Sequence, residues 1–196
     1  MYVLNLFPTD VYVEENSDID NKKLSKIILE KEKTEPSIRV SNQGGWHSSV
    51  DLYKDECFLK IIERVKECMR PICQNNNCEE GLKIIIDNMW AIVNRYKDYN
   101  LTHIHENVDW SFVYYVKVPK NSGNLILIDP RIRRVKNRSD RFIKSFDNPF
   151  THSMYFLNPS EGKFVIFPSY LEHYVEPNLT QESRISISGN IKVEKT

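Results

Sequence analysis

The end of the chain alternates between polar and apolar residues with the period of a β-strand. Successive side chains of a strand point to opposite faces, so one face is polar and the other aliphatic. The polar face holds Arg184, Ser186, Ser188 and Asn190, and the aliphatic face holds Ile185, Ile187 and Ile191. An arginine with two hydroxyls suits a polar cavity that binds an anion, whereas the isoleucines require a cover such as a helix. The pattern predicts a small β-barrel with a wet, functional interior.

Upstream, apolar spacing predicts helices before strands. A charged helix is expected at 20–33 and a stronger one at 53–69, which Pro71 should end. A third helix is predicted from Glu79 towards Met89. From Trp90 the period changes to two, and later strands are predicted at 111–118, 124–128, 153–158, 163–167, 172–176 and 184–192. Helices followed by about seven strands predict an α+β, mainly β fold in which helices pack on one face of a barrel.

Length and charge narrow the class of protein. A chain of 196 residues is expected to form one domain over 1–196, with supporting elements in 1–89 and the barrel core in 90–193. The 27 basic and 27 acidic residues give no sign of a nucleic-acid partner. No apolar run approaches the roughly 18 residues that a membrane span needs. Residues 1–7 are interpreted as a first strand and not as a signal peptide. A homodimer is one assembly that the sequence leaves open.

The cysteines suggest a reducing compartment. Four are present: Cys57, Cys68, Cys73 and Cys78. Their spacing makes a structural zinc site the weaker interpretation and buried free thiols the stronger one. A cytoplasmic location is expected from this cysteine usage.

The segment 41–48 contains two adjacent glycines, Gly44 and Gly45, which require an unusual backbone or a close approach of another segment. It is either a tight turn fastened by Trp46 or a loop that borders the active site. We also expect Trp46, Trp110 and Phe150 to line the entrance. The basic stretch 131–147 is expected to be a long loop, more plausibly solvated than a docking site for an acidic partner.

Histidine placement gives the strongest chemical signal. His103 and His105 form a His-x-His pair that faces one side of an extended chain, so two imidazoles can reach one metal ion. A pair of this kind is often only a hydrogen-bonded feature of a strand edge. His173 offers a third ligand from a distant strand, and three such ligands make a facial set with open positions. Arg184 follows eleven residues later, which strengthens the metal-site interpretation.

Residues 90–193 resemble the iron(II)- and 2-oxoglutarate-dependent oxygenases, and most closely a group common in bacteria and their phages. The matching segments of this part are His103-Ile104-His105, Ser111 to Val116, Asp129-Pro130-Arg131, Phe167 to His173 and Arg184 to Ile187, and upstream of it Ser41-Asn42 with Gly44-Gly45-Trp46 also resembles that group. The resemblance implies a double-stranded β-helix, a jelly-roll or cupin-like barrel. It implies a dioxygenase that hydroxylates an unidentified substrate with oxygen and 2-oxoglutarate, releasing succinate and carbon dioxide.

The resemblance also assigns roles to residues. His173 would be the distal Fe(II) ligand, with His103 and His105 as the first two. Arg184 would pair with the distal carboxylate of 2-oxoglutarate, because a guanidinium matches a carboxylate in two parallel hydrogen bonds. Ser186 resembles the serine of the family's Arg-x-Ser motif. Tyr115 resembles a tyrosine that bonds the same carboxylate, although ordinary barrel packing is an equal interpretation.

One departure from the wider family affects the charge of the site. Its first two ligands are usually His-x-Asp or His-x-Glu, whereas this chain has His105 in the third position. Three neutral imidazoles leave the metal one negative charge short. Glu106, Asp109 or Asp129 are candidates to supply that charge. The alternative function is a cupin-like protein that binds a metal or a small acid, or a metal enzyme that does not use 2-oxoglutarate.

Overall fold

The computed structural model of the protein describes residues 2, 7–15, 18–75, 81–131 and 153–195. These residues form two α-helices and eleven strands. The elements in chain order are β1 (Tyr12–Glu14), α1 (Asn21–Thr34), β2 (Asn42–Gln43), β3 (Trp46–His47), α2 (Leu59–Asn75), β4 (Leu82–Asn94), β5 (Tyr99–His103), β6 (Trp110–Lys117), β7 (Leu125–Ile128), β8 (Met154–Leu157), β9 (Phe164–Pro168), β10 (His173–Val175) and β11 (Arg184–Lys195).

The strands form two sheets with a cavity between them. The larger sheet has the order β1-β9-β6-β11-β4-β3, and the smaller one has the order β2-β5-β10-β7-β8. Every pairing is antiparallel, and side chains from both sheets line the cavity. The predicted class, a mainly β fold with a double-stranded β-helix, is confirmed. Strand β11 lies between β6 and β4, so its polar face forms the centre of one cavity wall.

The isoleucine face of β11 packs against the helices, as its pattern predicts. Ile185, Ile187 and Ile191 are fully buried in one core cluster with residues of α1 and α2. In α1, Leu24 and Ile28 supply the buried side chains, and the helix starts where the Asp20 carboxylate accepts a hydrogen bond from the Lys23 backbone N–H. Burial of each such aliphatic side chain contributes about 1.5–3 kcal/mol. The helices therefore stabilise the wall that carries the polar face.

The predicted third helix is wrong, because residues 82–94 form the single long strand β4. Strand β4 pairs with β11 along its whole length, from Leu82 opposite Lys195 to Asn94 opposite Arg184. Its Ile84-Ile85-Ile86 run fits a helix or a strand by apolar spacing alone. β-Branched side chains favour the pleated, half-buried surface that β11 provides. Glu79 lies outside the described residues.

Pro71 does not end the second helix, which also starts later than predicted. Short 3₁₀ turns occupy Leu52–Lys54 and Glu56–Phe58, and α2 continues through Pro71 to Asn75. A proline inside a helix removes one backbone hydrogen bond. Ile72, which is 1% exposed, anchors the following turn in the core and offsets that loss.

Several other expectations are settled only in part. Cys57 is exposed, so the prediction of a buried thiol is wrong there, whereas Cys68 and Cys73 are half-buried and pack against the core that contains the helices. Cys78, most of residues 1–7 and all but Arg131 of the basic stretch 131–147 lie outside the described residues. Within the described ranges, neither helix has the length and apolar character to cross a bilayer. The single-domain organisation over 1–196 stays a prediction.

Candidate metal and cosubstrate site

Three histidines converge inside the barrel. His103 ends β5 and His173 begins β10, and the two residues are directly paired between these antiparallel strands. His105 follows β5, where its backbone N–H donates to the Ser169 carbonyl. One ring nitrogen from each histidine lies within 4.8 Å of the others. The chain therefore brings together the three residues predicted as metal ligands.

The rings are held in the form that a metal needs. His103 Nδ1 is 2.7 Å from the Leu101 carbonyl oxygen, and His173 Nδ1 is 2.8 Å from the Leu171 carbonyl oxygen. A carbonyl accepts a hydrogen bond, so Nδ1 carries the proton and the Nε2 lone pair is available to a metal. Burial lowers the pKa of His103, lowers that of His105 to about 4 and lowers that of His173 to about 3. All three imidazoles are neutral at pH 7.

No carboxylate among the described residues joins the three histidines. Glu106 and Asp109 are exposed, and Asp109 accepts a hydrogen bond from the Val193 backbone N–H on another strand. Asp129 is engaged by the Arg131 guanidinium through two hydrogen bonds of 2.8 and 2.6 Å. The three acids considered for the missing charge therefore lie elsewhere, and the site consists of imidazoles.

Arg184 is a buried cation without an acidic partner. It is 2% exposed, and no carboxylate oxygen of a described residue lies within 4.0 Å of its guanidinium. Nη1 donates to the Ser122 and Gly123 carbonyls at 2.5 and 3.3 Å, and Nη2 donates to Asn94 Oδ1 at 3.0 Å. Burial lowers the pKa of Arg184 to about 10, so it stays charged at pH 7. Asp98 and Glu176 attract this charge from beyond salt-bridge distance, and Nε makes no hydrogen bond with a described residue, so the guanidinium can take a further anionic partner.

The groups around Arg184 are also short of partners. Tyr115 and Ser186 face each other across β6 and β11, and neither hydroxyl bonds another described residue. Burial raises the pKa of Tyr115 to about 12, so its hydroxyl remains a donor. Asn94 Nδ2 is buried without an acceptor in the described part of the chain. Together the Tyr115 and Ser186 hydroxyls and the Arg184 guanidinium provide donors for an anionic oxygen ligand in the cavity.

A cavity of about 480 Å³ joins the two groups of residues. The three histidines, Tyr115, Arg184 and Ser186 all line it. The prediction that Trp46 and Trp110 line its entrance is wrong. Trp46 is buried on the helix side, where Nε1 donates to the Glu35 carbonyl, and Trp110 packs edge-on against Tyr12. Phe150 lies outside the described residues.

Both interpretations of the glycine pair hold. Gly44 and Gly45 have φ values of +70° and +67° in the turn between β2 of one sheet and β3 of the other. A Cβ on Gly45 would lie 2.7 Å from the Val93 carbonyl oxygen, so the turn requires glycine. The segment is a tight turn fastened by Trp46, and it also borders the cavity through Ser41 and His47.

Sequence reasoning missed two aromatic residues of the cavity. His47 is 4% exposed and stacks on Trp90, with ring centroids 5.6 Å apart and planes 12° apart. Trp90 in turn lies 5.7 Å from His105. Trp90 could have been found from the sequence, because it lies four residues from Asn94 on one strand and therefore shares its face. His47 belongs to a two-residue strand, which is too short to show any period.

The residues fit a metal with a chelating acid. Three neutral imidazoles can hold a divalent metal, and the donors near Arg184 suit a carboxylate.

Comparison with known proteins agrees with this chemistry. Residues 88–190 match the model of the family described as "Putative 2OG-Fe(II) oxygenase". No curated protein sequence matches the chain. A Pseudomonas putida prolyl-4-hydroxylase is similar in structure, with a TM-score of 0.64 and 14% identity over 94% of this chain and 92% of that one.

Two further structures are similar at the level of the fold. The viral collagen prolyl hydroxylase from Paramecium Bursaria Chlorella virus-1, in a 2OG complex, gives a TM-score of 0.58 and 12% identity over 92% of this chain and 94% of that one. HygX from Streptomyces hygroscopicus, with nickel and 2-oxoglutarate bound, gives a TM-score of 0.61 and 9% identity over 94% of this chain and 83% of that one.

Proposed function

We propose that this chain, which belongs to the 2OG-Fe(II) oxygenase family, holds Fe(II) with His103, His105 and His173 and anchors 2-oxoglutarate with Arg184. The family's cofactor and cosubstrate are Fe(II) and 2-oxoglutarate. When bound, they would allow oxygen to oxidise a substrate C–H bond while 2-oxoglutarate is converted to succinate and carbon dioxide. We further propose that the product is a hydroxylated substrate and that the protein acts in the cytoplasm.

The observation that carries the assignment is the unpaired Arg184. A guanidinium that is 2% exposed and has no carboxylate partner in the described residues is costly unless a ligand supplies the charge. The 2-oxoglutarate molecule has a carboxylate for this end of the cavity and a 2-oxo acid group for the metal end. In a metal-binding protein that took no second anion, this cation would serve only to hold the Ser122 and Gly123 carbonyls and Asn94.

The other residues of the site have positioning roles. Tyr115 would donate a hydrogen bond to the same carboxylate, Asn94 Oδ1 would hold the Arg184 guanidinium in place, and Ser186 would lie beside it on β11. The Leu101 and Leu171 carbonyls fix the orientation of the His103 and His173 rings. Side chains of both sheets surround the cavity, and electrostatic contacts in such a partly enclosed site are stronger than in bulk water.

Thermal unfolding with ligands tests the proposal. A ligand at 100 times its Kd stabilises a protein by about 2.7 kcal/mol. We expect Fe(II) alone to raise the Tm under anaerobic conditions, and 2-oxoglutarate to raise it further only when the metal is present. A Tm that responds to Fe(II) but never to 2-oxoglutarate would favour the cupin-like alternative.

A further inference from the structure

The end of the cavity near Trp90 contains a hydrogen-bond acceptor, His47, that the proposed metal and cosubstrate do not use. On β4, Asn94 lies opposite Arg184 and Trp90 lies opposite Ser188, four residues further along β11. Four strand residues span about 13 Å. The Trp90 end is therefore separated from the carboxylate anchor, and His47 stacks on Trp90 at that end.

His47 is held rigidly by its own backbone. Its N–H donates to Ser37 Oγ at 3.0 Å, and its carbonyl accepts from the Ile38 N–H at 2.9 Å. The next residue, Ser48, is fully buried and its hydroxyl accepts from the Ala91 N–H at 2.9 Å. The Ser48 carbonyl is thereby fixed in place, 2.7 Å from His47 Nδ1.

This contact determines which ring nitrogen carries the proton. A carbonyl oxygen only accepts, so Nδ1 is the donor and Nε2 presents a lone pair. Nε2 makes no hydrogen bond with a described residue, although the residue is 4% exposed and lines the cavity. Burial also lowers the pKa of His47, so the ring stays neutral at pH 7. The cavity therefore offers a neutral, oriented hydrogen-bond acceptor.

The charges of the cavity limit what can donate to it. Arg184 is the one Lys, Arg, Asp or Glu side chain among the described lining residues. A substrate ammonium would be buried without an anion, in a cavity where the charges of Arg184 and of a bound metal are both positive. A carboxylate or phosphate has no proton to offer Nε2. An uncharged N–H or O–H group satisfies both conditions.

We propose that His47 is a substrate-contacting, specificity-determining residue that accepts a hydrogen bond at Nε2 from an uncharged amide or alcohol group of the substrate. This inference rests on the proposed function, because that function makes the cavity a substrate site. Trp90 sets the position of this group between His47 and His105. The aromatic pair thus selects neutral donors over ions.

Nitrogen-15 imidazole NMR of the diamagnetic Zn(II)- and 2-oxoglutarate-loaded protein tests the tautomer directly. We expect His47 to carry its proton on Nδ1, and acetamide to shift its Nε2 resonance. The matched probes N,N-dimethylacetamide, which lacks a donor, and acetate, which carries a charge, should bind at least tenfold more weakly. A proton on Nε2, equal binding of all three probes, tighter binding of acetate or no response to acetamide would each overturn the inference.

Two variants separate the ring nitrogens. An Asn side chain retains a donor near Nδ1 and removes the Nε2 acceptor, whereas a Gln side chain places an amide near Nε2. We expect His47→Asn to weaken acetamide binding at least tenfold and His47→Gln to retain most of it. If His47→Asn does not fold, the wild-type tautomer and probe series still decide. Failure of 2-oxoglutarate to bind the Zn(II)-loaded protein counts against the proposed function, independently of the His47 tautomer.

Discussion

Replacement of Arg184 by alanine should separate cosubstrate binding from metal binding. The guanidinium is 2% exposed, so solvent screening does not weaken its pairing with a carboxylate. Truncation of one side of such a buried charge pair costs about 2–5 kcal/mol. Since about 1.4 kcal/mol corresponds to a tenfold change in Kd, the Kd for 2-oxoglutarate should increase by a factor between roughly thirty and a few thousand. Fe(II) affinity should change little, because the three histidines lie on other strands.

Anaerobic calorimetric titration of Fe(II)-loaded protein with 2-oxoglutarate measures this change. Arg184→Lys is the matched control, since an ammonium keeps the charge but cannot reproduce the planar fork. We expect it to bind with intermediate affinity. The Arg184→Ala variant also loses the hydrogen bonds that Arg184 donates to Ser122, Gly123 and Asn94, so circular dichroism must first show that it is folded. Equal 2-oxoglutarate affinity in wild type and Arg184→Ala would refute the pairing.

Three further substitutions test the metal site and the turn beside it. His173→Ala should abolish Fe(II) binding in a folded protein, because it removes one of three converging ligands; an unchanged anaerobic iron titration would exclude His173 from the site. His105→Asp should bind Fe(II) about tenfold more tightly, because it adds a negative charge beside the metal, whereas His105→Asn should bind more weakly; equal affinities would show that residue 105 is not a ligand. Gly45→Ala should lower the free energy of unfolding by about 1–3 kcal/mol, because φ is +67° and its Cβ would meet the Val93 carbonyl; urea denaturation with an unchanged midpoint would contradict this.

The alternation at the end of the chain predicted a large part of the fold and its cavity wall. The parity of Arg184 and Ser186 against Ile185 and Ile187 is a local property, and it remains true once β11 is placed between its neighbours. The same is true of His173, which begins a strand in the sequence pattern and in β10. Features that repeat within one element can therefore be predicted from the sequence.

The errors arose where a partner strand decides the outcome. The segment 82–89 fits a helical or an extended period, and only its pairing with β11 selects the strand. His47 lies in a two-residue strand whose orientation depends on β4, where it pairs with Ile92. Such contacts join residues that are distant in sequence and leave no periodic signal.

The histidine in place of a carboxylate ligand determines the electrostatics of the whole cavity. With Fe(II) bound, three neutral imidazoles and Arg184 leave three positive charges that no lining carboxylate among the described residues offsets. The dianion of 2-oxoglutarate reduces this excess to one. Two unit charges about 5 Å apart interact by about 3 kcal/mol at an effective dielectric constant of 20. Electrostatic attraction therefore contributes more to the binding of 2-oxoglutarate in this site than it would in a site where one metal ligand is a carboxylate. Because such coupling is reciprocal, bound 2-oxoglutarate should strengthen Fe(II) binding by the same factor by which Fe(II) strengthens 2-oxoglutarate binding, and Arg184→Ala should reduce Fe(II) affinity only when 2-oxoglutarate is present.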